Sequence, residues 1–236
     1  MALDKKTFRT RAITAVVFAA VMLLGLLTNV WAFFLLFLVI MIGCLVEYVR
    51  LIKKIEPDLY KLYMSFGLIY IVMPVLMMMD LGIRGNIFTL NPVKELSIKE
   101  LYAPLFPCAI IFSIWINDTM AYIVGSMIGK TPFSKISPKK TWEGTGGGAI
   151  LCVVVIAILG SVIPAAKHIA VQHWIAIAAI CAIFGTLGDL LESKIKRMAN
   201  VKDSGSFMPG HGGFLDRFDS LLIAAPAVWV YVKLFF

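Results

Sequence analysis

The sequence contains few charged residues: they make up 15% of its 236 residues, whereas hydrophobic residues make up 60%. Soluble domains contain about 45–50% apolar and about 25% charged residues. So few charges cannot cover the surface of a soluble protein of this length. The composition therefore excludes an ordinary soluble domain and indicates an integral membrane protein.

Cysteine and histidine are also scarce, with four and three residues respectively. All four cysteines lie inside apolar segments, and no two of them form a C-x-x-C pair. This pattern excludes a disulfide framework or a cysteine-based zinc site and is typical of small buried hydrophobic residues. The chain also lacks G-x-x-x-x-G-K-[ST], which excludes a P-loop nucleotide site.

Long apolar segments make up most of the sequence, and the longest uncharged segment runs from Ala12 to Val46. As one helix it would measure about 53 Å, whereas the hydrocarbon core of a bilayer is about 30 Å thick. We therefore predict two helices that turn near Thr28 and Asn29. Further apolar segments lie at 62–79, 101–128, 145–166, 169–190 and 218–236. Together they predict an all-α polytopic membrane protein with about seven transmembrane helices, within a range of roughly six to nine.

No repeat, low-complexity tract or linker divides the chain, so we predict a single integral membrane domain over residues 1–236. We expect the N-terminal helices to occupy 12–100, and the helices and cytoplasmic loops that carry the candidate functional groups to occupy 101–236. Asn117 and Asp118 lie inside the 101–128 segment, which makes this segment a candidate for tilting or breaking.

Basic residues are distributed unevenly between the predicted loops. With a cytoplasmic N-terminus, the N-terminal tail and the second, fourth and sixth loops contain four, four, four and five Lys or Arg residues. These are 17 of the 22 basic residues, and basic residues favour the cytoplasmic side. The predicted partner is therefore a lipid bilayer. Nucleic acid is excluded because no basic helix or ribbon with interleaved aromatic residues occurs.

Two predicted cytoplasmic loops, 129–148 and 188–219, hold most of the polar functional groups. If the sixth helix continues through the beginning of the second loop, four of its polar residues share one helical face. These residues are Asp189, Glu192, Ser193 and Lys196.

Further carboxylates lie nearby. Asp216 and Asp219 are three residues apart at the predicted start of the last helix, where negative charge is favourable. Asp118 lies inside an apolar segment, where ionisable groups usually face a cavity or a partner. Carboxylate oxygens with no cysteine and hardly any histidine suit a hard cation, and Mg²⁺ fits best because it takes one or two carboxylates together with substrate phosphates.

The same two loops carry the groups that a phosphate site needs. Lysine and arginine bind phosphate oxygens, and backbone N–H groups in glycine-rich turns can hold anions. The basic residues are Lys139, Lys140, Lys196, Arg197, Lys202 and Arg217, and the glycines are Gly144, Gly146, Gly147, Gly148, Gly210, Gly212 and Gly213. This combination indicates a nucleotide or phosphate site at the cytoplasmic face.

Structural roles are the alternatives for several of these residues. Lysines that flank transmembrane helices set topology or anchor lipids. Gly147 and Gly148 can let helices pack closely, and Asp118 can form a hydrogen bond with a neighbouring helix. His211 can be a hydrogen-bonded loop residue.

The second loop resembles the signature of the phosphatidate cytidylyltransferases, also called CDP-diglyceride synthases. SPKKTWEG at 137–144 and GDLLES at 188–193 are also similar to that family. The resemblance covers roughly residues 115–220, and the first hundred residues agree only in being hydrophobic. Met208 stands where the family usually has Leu, Ile or Phe, a mild change. The matching positions are Ser193, Lys196, Arg197, Lys202, Asp203, Pro209, His211, Gly212, Gly213, Asp216, Arg217 and Asp219.

This resemblance implies a reaction in which CTP and phosphatidic acid give CDP-diacylglycerol and pyrophosphate. It also implies Mg²⁺ as the cofactor, with Asp189, Asp216 and Asp219 as metal ligands, a homodimer, and a multi-pass protein of a bacterial inner membrane. The expected catalytic residues are Asp189, Asp216, Asp219, Lys202, Asp203 and His211. The expected substrate-binding residues are Asn117, Asp118, Ser137, Lys139, Lys140, Thr141, Glu143, Gly144, Ser193, Lys196, Arg197 and Arg217.

Two other functions are alternatives. The first is a CTP-dependent transferase or kinase that acts on a different lipid acceptor. The second is a transporter that uses the carboxylate of Asp118, although carriers place their polar groups nearer the bilayer midplane. A CDP-alcohol phosphatidyltransferase is excluded because the chain lacks D-x-x-D-G-x-x-A-R.

Overall fold

A computed structural model describes residues 5–83, 102–208, 210 and 212–236. Within these ranges the chain is helical, and its extended pairings are the isolated bridges Ile83–Tyr102, Pro132–Thr141 and Met208–Gly212. The helices are α1 (Lys5–Leu27), α2 (Val30–Ile55), α3 (Tyr60–Gly67), α4 (Met73–Leu81), α5 (Leu105–Ile128), α6 (Trp142–Val162), α7 (Val171–Met198) and α8 (Leu215–Phe235). A π-helical turn, Leu68–Val72, joins α3 to α4.

The predicted break in the longest apolar segment is confirmed, because α1 ends at Leu27 and α2 begins at Val30. Asn29 adopts an extended conformation, and its side-chain oxygen accepts a hydrogen bond of 2.9 Å from the N–H of Ala32. This is the N-cap interaction that asparagine makes in preference to apolar residues. Local chemistry and the thickness of the bilayer therefore place the break at the same residues.

Six helical segments of the described chain are long and apolar enough to cross a membrane: Val30–Ile55, Tyr60–Leu81, Leu105–Ile128, Trp142–Val162, Val171–Met198 and Leu215–Phe235. The remaining predicted span corresponds to Ala12–Leu27, the apolar part of α1, which is shorter. Large apolar side chains such as Trp31, Leu35 and Ile42 lie exposed on α2. A lipid environment accommodates such a surface, and the chain is a multi-pass membrane protein.

The chain forms two compact units, each made of two sequence segments. Unit 1 comprises Met1–Pro104 and Ile195–Phe218, and unit 2 comprises Leu105–Lys194 and Asp219–Phe236. The end of α7 and the first turn of α8 thus belong to unit 1.

In unit 1, one face of α2 is buried at the spacing of a helical stripe, through Phe33, Phe37, Ile40 and Cys44. The rings of Phe33 and Phe37 lie 4.9 Å apart. The hydroxyl of Tyr102 donates a 2.6 Å hydrogen bond to a carbonyl of α1. These contacts join α1, α2 and the segment before α5.

In unit 2, glycines of α6 pack against α5. A Cβ atom added to Gly148 would lie 2.7 Å from the backbone nitrogen of Ala121, and one added to Gly147 would lie 2.6 Å from the side chain of Val124. Small residues allow helix backbones to approach closely, so the structural alternative holds for Gly147 and Gly148. The helix α5 runs without a break through Asn117 and Asp118.

Candidate active site

Asp216 lies in the first turn of α8, within unit 1, and both of its carboxylate oxygens have donors. Its Oδ2 atom accepts hydrogen bonds of 2.8 Å from the N–H of Gly213, the N–H of Ser204 and the hydroxyl of Ser204. Its Oδ1 atom accepts one of 2.6 Å from Nζ of Lys196. The predicted start of the last helix near Asp216 is confirmed, and the structure also joins Asp216 to Lys196.

The turn before α8 depends on Gly212, whose φ of +83° is a conformation that residues with a Cβ atom rarely adopt. A Cβ atom at this position would also lie 2.5 Å from Oδ2 of Asp216. The turn is closed by a 2.9 Å hydrogen bond from the N–H of Met208 to the carbonyl of Gly212. Gly212 therefore allows the backbone to wrap around the carboxylate. Pro209 and His211, which the signature includes, lie outside the described residues.

Glu47 is a further residue of this region that the sequence analysis did not identify. It lies on α2 with 4% exposure. Its carboxylate accepts hydrogen bonds of 3.0 Å from the N–H of Phe214, 2.9 Å from the N–H of Leu215 and 2.7 Å from the hydroxyl of Ser204. A signal existed in the sequence, since this carboxylate directly follows the 35-residue uncharged segment and ionisable residues in apolar helices usually have partners.

The other predicted residues of unit 1 lie at its surface. Arg197, Lys202, Asp203 and Arg217 are exposed. Arg197 donates a 3.4 Å hydrogen bond to the carbonyl of Val201, which follows α7. In the described structure these four side chains are therefore accessible to solvent.

In unit 2, Asp189 forms an ion pair with Lys140, and each side chain is about one-quarter exposed. The hydroxyl of Ser193, one helical turn further along α7, donates a 3.2 Å hydrogen bond to Oδ1 of Asp189. This contact agrees with the shared helical face predicted for the two residues. The structure thus brings together one predicted metal ligand and two predicted substrate-binding residues.

The loop that carries Lys140 is held in place by Glu143. The carboxylate of Glu143 accepts hydrogen bonds from the N–H of Lys130 at 3.2 Å, the N–H of Thr131 at 3.1 Å and the hydroxyl of Thr131 at 2.7 Å. The rings of Phe133 and Trp142 pack edge to face, with centroids 4.5 Å apart. Glu143 therefore closes the base of this loop.

Thr141 and Gly144 also have structural contacts. The side-chain oxygen of Thr141 caps α6 by accepting a 3.1 Å hydrogen bond from the N–H of Gly144. Gly144 is buried, and an added Cβ atom would lie 2.8 Å from the carbonyl oxygen of Ala121. Ser137 is half-buried and accepts a 3.1 Å backbone hydrogen bond from Lys140, whereas Lys139 is exposed.

Asp219 lies in the buried part of α8, where its Oδ1 atom accepts a 2.6 Å hydrogen bond from the N–H of Ser220. The carboxylates of Asp189, Glu192 and Asp118 act electrostatically on it, and all four groups belong to unit 2. Such a concentration of negative charge favours a bound cation, since buried charges require compensation.

The donor set of unit 2 consists of oxygen atoms. In addition to the acidic residues, unit 2 contains Asn117, which is buried on α5. Its Oδ1 atom has no hydrogen-bond partner among the described residues. Oxygen donors fit Mg²⁺ better than softer metals. However, no three His, Cys, Asp or Glu side chains of the described chain are arranged as ligands of one metal ion. Of the three predicted ligands, Asp189 and Asp219 belong to unit 2 and Asp216 to unit 1.

Comparison with known proteins identifies relatives of this chain. Residues 87–235 match the sequence model of the Cytidylyltransferase family. The phosphatidate cytidylyltransferase of Rickettsia felis is 30% identical over 236 residues, which cover 97% of this chain and 94% of that protein.

Other relatives match a shorter segment at higher identity. The phosphatidate cytidylyltransferase of Bacillus subtilis is 44% identical over 123 residues, which cover 52% of this chain and 45% of that protein. The enzyme of the same name from Staphylococcus saprophyticus is 46% identical over 114 residues, which cover 48% of this chain and 43% of that protein. The chain thus spans less than half the length of these two relatives.

Proposed function

Because the chain belongs to the cytidylyltransferase family, we propose that it transfers the CMP group of CTP to phosphatidic acid. The products are CDP-diacylglycerol and pyrophosphate. The relative from Rickettsia felis, which carries the name of this activity, matches the chain along nearly its whole length.

The observation that carries the proposal is the pairing of predicted phosphate-binding lysines with predicted metal-binding carboxylates. Lys196 pairs with Asp216 in unit 1, and Lys140 pairs with Asp189 in unit 2. If either carboxylate held a divalent cation, its paired lysine could instead bind the phosphate oxygens of a substrate. Such paired groups suit a protein that binds two polyanions.

The chemistry requires little else from the protein. A phosphate oxygen of phosphatidic acid attacks the α-phosphorus of CTP, and the bond from that phosphorus to the bridging oxygen of the pyrophosphate breaks. Pyrophosphate leaves with the bonding electron pair. The nucleophile is already anionic at neutral pH, so no strong general base is needed. Catalysis therefore consists mainly of positioning and charge neutralisation.

Lysine and arginine side chains neutralise the substrates in this proposal. Lys140 and Lys196 are held next to carboxylates, and Lys139, Arg197, Lys202 and Arg217 are partly or fully exposed. Long cationic side chains at the surface can reach phosphates without moving the backbone. The hydroxyl of Ser193 donates a hydrogen bond to Asp189. The loop before the N-cap of α6 holds Lys140 in position.

Mg²⁺ is the proposed cofactor, with Asp189 and Asp219 of unit 2 as ligands. Their oxygen donors and the acidic surroundings of Asp219 fit a hard divalent cation. When bound, Mg²⁺ would stabilise negative charge on the transferred and leaving phosphates. Asp216 as a third ligand stays a prediction, as do the catalytic roles of Asp203 and His211.

The location and the assembly are also proposals. The six apolar helices and the distribution of basic residues favour a bacterial inner membrane with the polar loops in the cytoplasm. Relatives from bacteria are consistent with this location. A homodimer stays a prediction.

The test is an assay of the purified chain with labelled CTP, phosphatidic acid and Mg²⁺. We expect labelled CDP-diacylglycerol and pyrophosphate, and we expect Asp219→Asn to abolish both. Asp58→Asn, at an exposed position after α2, is the matched control and should retain wild-type activity. An inactive wild-type chain would refute the proposal.

A panel of lipid acceptors separates the alternatives. Transfer to a different phosphorylated lipid would identify another acceptor, and release of CDP instead of pyrophosphate would identify a kinase. Solute flux into liposomes without nucleotide turnover would identify a transporter.

A further inference from the structure

We propose that Glu47 is a positioning residue that fixes the start of α8 and, through Ser204, the carboxylate of Asp216. This inference rests on the proposed function, because it assigns Glu47 to the same reaction. Glu47 itself contacts the backbone N–H groups of two residues and one serine hydroxyl. It therefore acts through these groups.

The first argument concerns the N-terminus of α8. The first N–H groups of a helix have no partner inside the helix, and a polar residue just before the helix usually provides one. Phe214 occupies that position and has no polar side-chain atom. Glu47 replaces the missing cap by accepting from the N–H groups of Phe214 and Leu215. The N–H of Gly213, one residue earlier, donates to Asp216, so two carboxylates share three consecutive N–H groups.

The second argument concerns Ser204, whose hydroxyl oxygen lies between the two carboxylates. It is 2.7 Å from Oε2 of Glu47 and 2.8 Å from Oδ2 of Asp216. A hydroxyl has a single hydrogen and can donate it to one carboxylate at a time. The N–H of Ser204 also donates to Oδ2 of Asp216. Moving Glu47 would therefore change both hydrogen bonds of Ser204 to Asp216.

The third argument is the enclosure of the Glu47 carboxylate. A Cβ atom added to Gly205 or to Gly213 would collide with its oxygen atoms. The backbone of the loop thus lies against the carboxylate at two points, and both glycines are needed for this approach. A carboxylate enclosed in this way can hold the loop before α8 in one position.

Glu47→Gln tests the inference because glutamine keeps the size of the side chain. The amide NH₂ group replaces one of the two carboxylate oxygens, so in one orientation it faces the N–H of Phe214 and in the other the N–H of Leu215. Glu56→Gln is the matched control, with the same change at an exposed residue just after α2. Ser204→Ala is the second variant. It removes the hydroxyl that lies between Glu47 and Asp216, and it leaves the N–H of residue 204 on Asp216 and both N–H contacts of Glu47.

With CTP, phosphatidic acid and Mg²⁺, we expect Glu47→Gln to lower kcat by about 10- to 100-fold while KM for CTP changes by no more than about twofold. Ser204→Ala should also lower kcat. The double variant should be no worse than Glu47→Gln within about twofold, because both changes break one pathway. Wild-type kcat in Glu47→Gln, or losses that multiply in the double variant, would overturn the inference.

A measurement that does not need activity separates this inference from the proposed function. Amide hydrogen exchange at residues 204–216 should be faster in Glu47→Gln than in the wild type and in Glu56→Gln. Unchanged exchange would overturn the role of Glu47 whatever the activity. An inactive wild-type chain with faster exchange in Glu47→Gln would instead refute the proposed reaction, and with it the catalytic purpose of the contact.

Discussion

The Nζ atom of Lys196 lies 2.6 Å from the Oδ1 atom of Asp216, and water reaches little of either side chain, with exposures of 12% and 5%. The two residues are 20 positions apart, at the end of α7 and the start of α8. The pair therefore closes the loop 199–214 of unit 1 at its base. Removing one member of a shielded ion pair leaves the other charge without compensation.

Lys196→Met should therefore destabilise the protein and lower its activity. We expect a loss of about 3 kcal/mol in the free energy of unfolding, at the lower end for broken buried pairs because the lysine keeps some contact with water. Thermal unfolding in detergent measures this change. Lys194→Met, at an exposed position on the same helix, is the control. Equal unfolding temperatures for the two variants would contradict the prediction.

Lys140→Gln should lower activity more than Lys135→Gln. Both lysines lie in the loop before α6, but Lys140 pairs with Asp189 whereas Lys135 is exposed. If the ammonium group of Lys140 binds phosphate, its loss should raise KM for CTP about tenfold. Steady-state kinetics at saturating phosphatidic acid provide the measurement. The same KM in both variants would show that Lys140 has only a structural role.

Gly212→Ala should reduce both stability and activity. The residue has φ = +83°, and its new Cβ atom would lie 2.5 Å from Oδ2 of Asp216. A residue forced into such a conformation costs roughly 1–3 kcal/mol, and the contact would also displace the carboxylate. Thermal unfolding and kcat together test this expectation. A variant with wild-type values of both would show that the turn adapts without cost.

Gly148→Ala should destabilise the packing of α5 against α6. The added methyl group would lie 2.7 Å from the backbone nitrogen of Ala121, which cannot move independently of α5. Gly146→Ala is the matched control on the same helix, since no atom beyond its chain neighbours and the nearby backbone of its own helix lies within 4 Å of the corresponding Cβ position. Alanine favours a helix over glycine by about 1 kcal/mol, so this control should unfold at an equal or higher temperature. The prediction fails if Gly148→Ala is as stable as the control.

Much of the fold could be predicted from the sequence because bilayer thickness limits helix length. The break at Asn29 follows from this limit together with a capping residue, and both are local properties. The continuity of α5 through Asn117 and Asp118 could not be read in the same way. Two adjacent polar residues in an apolar segment predict a break only if they have no polar partners elsewhere in the fold. Here the carboxylate of Asp118 interacts electrostatically with Asp219 of α8.

The candidate site was predictable where its contacts are local. Asp189 and Ser193 are one helical turn apart, so their hydrogen bond follows from helix geometry. The structural contacts of Thr141 and Glu143, which cap α6 and close the adjacent loop, were not predicted, and their substrate-binding roles stay predictions. Glu47 was not predicted because its partners are 157 to 168 residues away in the chain.

This separation has a consequence for biosynthesis. The ribosome adds roughly 5–20 residues per second, so Glu47 leaves it on the order of 10 s before Ser204, Phe214 and Leu215 exist. During that interval the carboxylate of Glu47 has none of the three donors that surround it in the finished protein. A truncated chain that ends before Ser204 would lack all three donors to the carboxylate on α2. The arrival of the last helix is therefore the step that completes the environment of the second.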